Sequence, residues 1–434
     1  MTRIEERLRD ALQASAARVR DDRLRPLPAR EPDPGAERKA RRRQVWQAWL
    51  IPVAAAAAVV LVIGLVLAVT RHATPTQQQP ASQQAPLPGY FVRIAPGGGT
   101  PPIEVQSVST GAVIATVRSP KPPRGGALNV GAVAAAPDDR TFYVEYGLVS
   151  PNINVTQTWI LTFSITGSGS ATPLTTVKGG LLSHQPPDLQ TWGSLAVSPD
   201  GSKLALTVDS SDHISNTSPG YSDKIIVIDL HTGQRTQWQG GLYRPGKQFS
   251  IPDLSWAADG RSLVFLGQWC DPAGQGTTCD GTSGPGGYRD AQVRSLSTAT
   301  GGGSLNHGRL LLGESARYPL IAQALGGPHG SDLTVAVLSG QANKLGEWPE
   351  LTVEDVSAAT GAVRGVDYRV SQARGFGGDP QLVWLTADPS GQHLLISYAV
   401  DGGFIIGRIG HGALHLLPIT QPYLPNNPTL IIAW

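Results

Sequence analysis

Two stretches decide the fold: SLAVSPDGSKLALTV at Ser194–Val208 and KIIVIDLHTGQRTQW at Lys224–Trp238. In the first, two short apolar runs flank Pro199-Asp200-Gly201. Proline presets one turn dihedral, and glycine supplies the positive φ that a tight hairpin needs. In the second, Asp229 through Gly233 reverses the chain between two further runs. Read together, the stretches form one unit of four antiparallel strands.

Weaker copies of the unit surround it. Ala132–Glu145 (AVAAAPDDRTFYVE) repeats the first hairpin with Asp139 in the glycine place, Leu254–Gly267 repeats it with Asp259-Gly260, and Val383–Tyr398 repeats it with Pro389-Ser390-Gly391. A degenerate copy runs through Leu320–Val337. The second turn recurs as SVSTGAV at Ser107, STATGGG at Ser297 and SAATGAV at Ser357. The period is about 55–70 residues, longer than the ~40–45 of compact four-stranded repeats, and insertions at Asp209–Asp223 and Trp269–Asp290 account for most of the excess.

Each sheet needs neighbours on both faces, and radial packing of such sheets gives an all-β propeller. Five internal copies carry a first strand. Thr429–Trp434 (TLIIAW) reads as a first strand with no hairpin after it, and Gly89–Val117 as a unit lacking one. Joining the two closes the ring as a clasp and predicts six blades, with seven the neighbouring solution. SPDG before an apolar strand, followed by I-x-V-x-D and a TG turn, resembles the WD-like repeat of TolB-type propellers. That resemblance implies a binding scaffold and no particular catalytic residue; the G-H…W-D pair of better-kept WD repeats is missing.

The predicted propeller spans 89–434. Before it, Trp49–Thr70 (WLIPVAAAAAVVLVIGLVLAVT) carries no charge. As a helix it is about 33 Å long, enough for a bilayer core of roughly 30 Å. Arg30, Arg38, Lys39, Arg41, Arg42 and Arg43 precede it closely, and only Arg71 follows it closely. This asymmetry predicts an uncleaved single-pass anchor in the cell membrane, with residues 1–48 cytosolic and the C-terminal body extracytoplasmic. A cleaved signal fits poorly: the charged region is too long, and Arg71-His72 stand where small residues belong. Residues 71–88, rich in Gln and Pro, read as a disordered tether.

Residues 2–25 read as an amphipathic helix, opened by a Thr2/Glu5 capping box and striped by Ile4, Leu8, Leu12, Ala16 and Val19. Its stripe suits a cytosolic protein partner, a second copy or the membrane surface; a solvated tail is the plain alternative. The layout looks like actinobacterial membrane proteins related to anti-sigma factors. However, the zinc-type module of that family needs His and Cys in the cytosolic part, and here none precedes His72 or Cys270. Residues 1–48 hold thirteen Lys/Arg against eight Asp/Glu, whereas the remainder holds twenty-two against twenty-five. The body therefore has no basic bias toward nucleic acid.

The two cysteines, Cys270 and Cys279, bracket CDPAGQGTTC and predict a disulfide in an oxidising compartment. No nearby His or third Cys completes a zinc set. Catalytic patterns fare poorly. Gly313-Glu314-Ser315-Ala316-Arg317 lacks the last glycine of a nucleophile elbow, and Gly281–Gly286 is loop by composition. His411 and His415 have helical ligand spacing, but HGALHLLPI reads as strand, which sets them about 13 Å apart. No P-loop, EF-hand or dinucleotide fingerprint occurs, so no metal or cofactor is expected. The acidic pairs Asp138/Asp139 and Asp209/Asp212 adjoin turns and are expected to serve them. Asn154-Val155-Thr156 and Asn216-Thr217-Ser218 match the glycosylation pattern, which means little in a bacterial protein. Trp192, Trp256, Trp384 and Trp434 are expected between blades. Trp269, Tyr221, Tyr243 and Tyr288 fall on or near long loops, and a loop face is the expected functional surface.

The function these features favour is non-catalytic binding of an envelope protein or glycan, with the cytosolic helix as a route for reporting it inward. A hydrolase or lyase on a propeller scaffold is the first alternative; acids, His or a metal converging at the channel mouth would mark it. An anti-sigma-like transmembrane regulator is the second.

Overall fold

The computed structural model describes residues 87–94, 102–121, 127–149, 155–183, 194–208, 224–240, 242, 248–270, 288–340, 348–376, 383–388, 390–400, 403–410, 412–417 and 431–434. The expected cytosolic helix, membrane span and nearly all of the tether lie outside these residues. Among those described, no helix is long and apolar enough to cross a membrane.

Six four-stranded antiparallel sheets make up the body. Blade one contains β1 (Tyr90–Ile94), β2 (Ile103–Ser107) and β3 (Val113–Val117). Blade two is β4 (Ala127–Ala135), β5 (Thr141–Val149), β6 (Val155–Ser164) and β7 (Thr175–Ser183). Blade three is β8 (Leu195–Val197), β9 (Lys203–Val208), β10 (Lys224–Asp229) and β11 (Arg235–Gln239). Blade four is β12 (Gln248–Trp256), β13 (Ser262–Cys270), β14 (Tyr288–Ser297) and β15 (Arg309–Gly313). Blade five is β16 (Leu320–Gly326), β17 (Asp332–Ser339), β18 (Trp348–Ser357) and β19 (Val363–Phe376). Blade six is β20 (Val383–Ala387), β21 (Leu394–Val400), β22 (Gly403–Gly410) and β23 (Ala413–Leu416). The sixth inner strand, β24 (Ile431–Ala433), completes blade one by pairing with β1 in the register Val92↔Ala433, Arg93↔Ile432 and Ile94↔Ile431. The clasp is as the sequence predicts.

Turn chemistry explains the hairpins. Gly201 sits at φ 71° and Asp139, in the equivalent place, at φ 56°. Aspartate is among the few residues with a side chain that tolerate that region, which is why the copy at Ala132–Glu145 survives the loss of its glycine. Asp138 accepts the N–H groups of Arg140 and Thr141 (2.9 and 2.7 Å) and the Thr141 hydroxyl, so it serves its turn as expected. The second turn is built alike in three blades: Gly111, Gly233 and Gly361 donate to the carbonyls of Ser107, Asp229 and Ser357, each at 2.8 Å.

The middle strands are buried on both faces, as in KLALTV of β9, while outer strands such as β11 alternate toward solvent. The core is divided among the six junctions between neighbouring blades. Phe142, Val144 and Phe163 of blade two meet Val92, Ile103 and Val105 of blade one. Leu395 and Ile406 of blade six meet Phe91, Ile432 and Trp434 of blade one, which seals the ring. Burying a Trp or Phe at such a junction stabilises by several kcal/mol, about 3–5 when judged by truncation to Ala. Trp256 and Trp434 lie between blades as predicted, and Trp384 is partly buried against two of these cores. Trp192 lies outside the described residues.

Two expectations need correction. Trp269 is not part of a loop surface. It is 2% exposed within β13, lies tilted against Phe249 with ring centroids 5.0 Å apart, and donates its indole N–H to the Leu242 carbonyl at 2.8 Å. The insertion expected at Trp269–Asp290 is also shorter, because the β13–β14 hairpin continues through Cys270↔Tyr288. An indole with a carbonyl partner and an aromatic neighbour gains more from burial than from display.

Candidate functional site

The inner strands of all six blades surround an axial cavity of about 120 Å³. Its walls come from β4, β8, β12, β16, β20 and β24, and it reaches the face of the first hairpin turns at Pro199, Ala258, Gly327 and Ser390. An inner strand has no further strand to pair with, so its axial N–H and C=O groups need other partners.

Side chains of the adjoining blade supply them. Ser194 Oγ accepts the Leu254 N–H at 3.1 Å, Asp253 Oδ2 accepts that of Ala324 at 2.8 Å, and Ser255 Oγ accepts that of Gly326 at 2.8 Å. Gln323 Oε1 accepts the Leu385 N–H. In the reverse direction, the Trp256 indole donates to the Ala196 carbonyl at 3.1 Å. Three successive junctions, from blade three to blade six, are stitched in this way. Each stitch is worth about 1 kcal/mol net, and an orphaned buried N–H costs about 1–3 kcal/mol.

Sequence reading missed these residues, although a signal existed. Aligned on the turn glycines Gly201, Gly260 and Gly330, the residues Ser194, Asp253 and Gln323 occupy one repeat position, seven residues upstream. Trp384 and Ala132 hold that position ahead of Gly391 and Asp139.

Asp253 and Asp388 are the ionisable residues of the cavity wall. The Asp388 carboxylate is engaged in its own turn: it accepts the N–H groups of Gln392 and His393 at 3.0 Å and the Ser390 hydroxyl at 2.6 Å. Asp253 is 5% exposed, and burial pushes its carboxyl up to about 7 against the pull of the Ala324 and Leu254 N–H groups. Among the described residues, no cationic side chain pairs with it and no group of three His, Cys, Asp or Glu could hold a metal.

Other candidates disperse. His415 lies exposed on β23, opposite Arg408, in a hairpin and not a helix; His411 is outside the described residues. Ser315 Oγ accepts the Tyr318 N–H at 3.3 Å within a connecting turn. Cys270 ends β13, while Cys279, Asp209, Asp212, Tyr221 and Tyr243 lie outside the described residues. Tyr288 opens β14.

The two ends of the channel differ in construction. Most first and third turns of the blades are short and close on one face, the connections β6–β7 and β14–β15 being the longer ones there. Segments 209–223 and 271–287 join strand ends at the other.

No protein-family model matches the chain, and no curated protein matches it in sequence. Its fold is similar to solved propellers. TolB from Acinetobacter baumannii is 13% identical with a TM-score of 0.46, over 80% of this chain and 66% of that one. The WD40 domain of Toxoplasma gondii coronin is 10% identical with a TM-score of 0.40, over 76% and 67%. The acylaminoacyl peptidase of Pyrococcus horikoshii is 12% identical with a TM-score of 0.37, over 65% and 38%. The chain thus spans about two thirds of the TolB chain and little more than a third of the peptidase. At such values the likenesses transfer no activity. The six-bladed assignment rests on the sheet order and the junction cores.

Proposed function

We propose that this chain is a membrane-anchored, extracytoplasmic propeller that recognises an envelope protein or glycan without chemically altering it. The uncharged Trp49–Thr70 run, with six Lys/Arg closely before it and one closely after, supports the anchor and its orientation. The observation that carries the binding role is the asymmetry of the two faces. Mostly short turns occupy one, and the two longest connections within a blade, the Gly-, Ser- and Thr-containing segments 209–223 and 271–287, attach at the other. A rigid ring holding long connections at one end is a common platform for recognition.

The inner-strand polar residues favour the same reading. Ser194, Ser255 and Gln323 are committed to neighbouring backbones, so they hold blades together and are not aimed at a reacting atom. Capture of partners from envelope extract by the full-length protein tests the proposal. The wild type should enrich a defined protein or glycan, and variants with 209–223 or 271–287 replaced by a short Gly-Asn turn should lose it while keeping the same melting temperature. Turnover of an envelope substrate without stable capture would overturn it.

A further inference from the structure

The repeat position shared by Ser194, Asp253 and Gln323 has one structural task, to accept an N–H from the next blade. A neutral hydroxyl and a neutral amide perform it at two junctions. At the third stands a carboxyl, 5% exposed, with no cation facing it among the described residues. Among the described residues, the elements beside it contribute no compensating charge: β8 and Ser194 just before it line the cavity, β16 offers Gln323 and Leu325, and the wall's other ionisable group, Asp388 of blade six, is also acidic. Burying a charge that the stitch does not need is costly unless something pairs with it. Asp253 shares its wall with the half-buried Trp384, and indole faces attract cations. The cavity's volume of about 120 Å³ gives room for a small molecule.

We propose that the axial cavity binds a small organic ammonium ion, with the Asp253 carboxylate as counter-ion and Trp384 as the aromatic side chain beside it. The cation enters from the short-turn face, past Pro199, Ala258 and Ser390. This site is lined by inner strands and first hairpin turns, and it does not depend on the role of the long connections. Proton and ligand compete for one carboxylate, so affinity rises with pH up to about 7 and then levels off.

The test titrates the full-length protein with methylammonium, dimethylammonium and tetramethylammonium chlorides, following tryptophan fluorescence and heat, with sodium chloride at matched ionic strength as control. Saturable binding of at least one amine is expected at pH 8, weakened about 30-fold at pH 5.5 by protonation of a carboxyl near 7. Asp253→Asn keeps an acceptor for the Ala324 N–H and should abolish binding; Trp384→Ala should weaken it at least fivefold. Absence of saturable binding, equal binding by Asp253→Asn, or sodium matching the amines would overturn the proposal. Should the Asn variant fail to fold, the wild-type pH profile decides: a pH-independent affinity refutes it.

Discussion

Consider Asp253→Asn in the absence of any amine. The folded state holds the Asp253 proton with a pKa of about 7, against 3.8 for the ordinary side chain. The folded protein therefore binds this proton more tightly than the unfolded chain. Its contribution to stability is intact below 3.8, falls as pH rises through the interval to 7, and is flat above it. At about 1.4 kcal/mol per tenfold in proton affinity, the full interval amounts to roughly 4 kcal/mol, an upper figure because water reaching the channel would soften it. The amide carries no such penalty and keeps the Ala324 hydrogen bond. The variant should match the wild type at pH 4 and exceed it by roughly 2–4 kcal/mol at pH 8. Urea unfolding of both full-length proteins in the same detergent, across pH 4 to 8.5, measures the difference. Glu314, also pushed up to about 7 by burial, titrates in both proteins and cancels. A difference that is constant with pH, or a variant less stable at pH 8, would refute the reasoning.

Other perturbations probe the ring itself. Gly179→Ala combines a φ of +73° with a Cβ placed 2.4 Å from the Gly233 carbonyl oxygen on the next blade; a loss of about 2–4 kcal/mol is expected by chemical denaturation. Trp434→Ala empties the junction that joins blade six to blade one, where the indole is 1% exposed, and should cost about 3–5 kcal/mol and broaden the thermal transition. Ser194→Ala leaves the Leu254 N–H without its acceptor and should cost about 1–2 kcal/mol with no change in blade count by scattering. If Cys270 and Cys279 pair, reduction should remove roughly 2.5–3 kcal/mol, and maleimide should label them only after reduction.

The sequence made the fold legible because turns are local chemistry. Pro199-Asp200-Gly201 specifies its hairpin within three residues, and Asp139 could be placed in a glycine position from its neighbours alone. The clasp was legible for another reason: an unmatched first strand at one end and an incomplete blade at the other have one economical solution. The channel was not legible residue by residue. Its stitches join groups 60 to 71 residues apart, and a lone Ser, Asp or Gln in or beside a strand looks like any solvent-facing polar residue. Trp269 was misplaced because the Gly- and Thr-rich sequence after it suggests a loop, while its partners Phe249 and Leu242 come from an earlier part of the blade.

The pairing of Val92 with Ala433 also dictates an order of events during biogenesis. The inner edge of β1 has no mate until nearly every other blade has been synthesised, so the nascent chain carries an open sheet flank throughout its emergence. Contacts of such sequence separation form slowly, and an open strand flank is a template for wrong pairings. Closure is therefore the expected rate-limiting event, and conditions that delay the arrival of residues 431–433 should trap this protein as aggregates before they harm the finished ring.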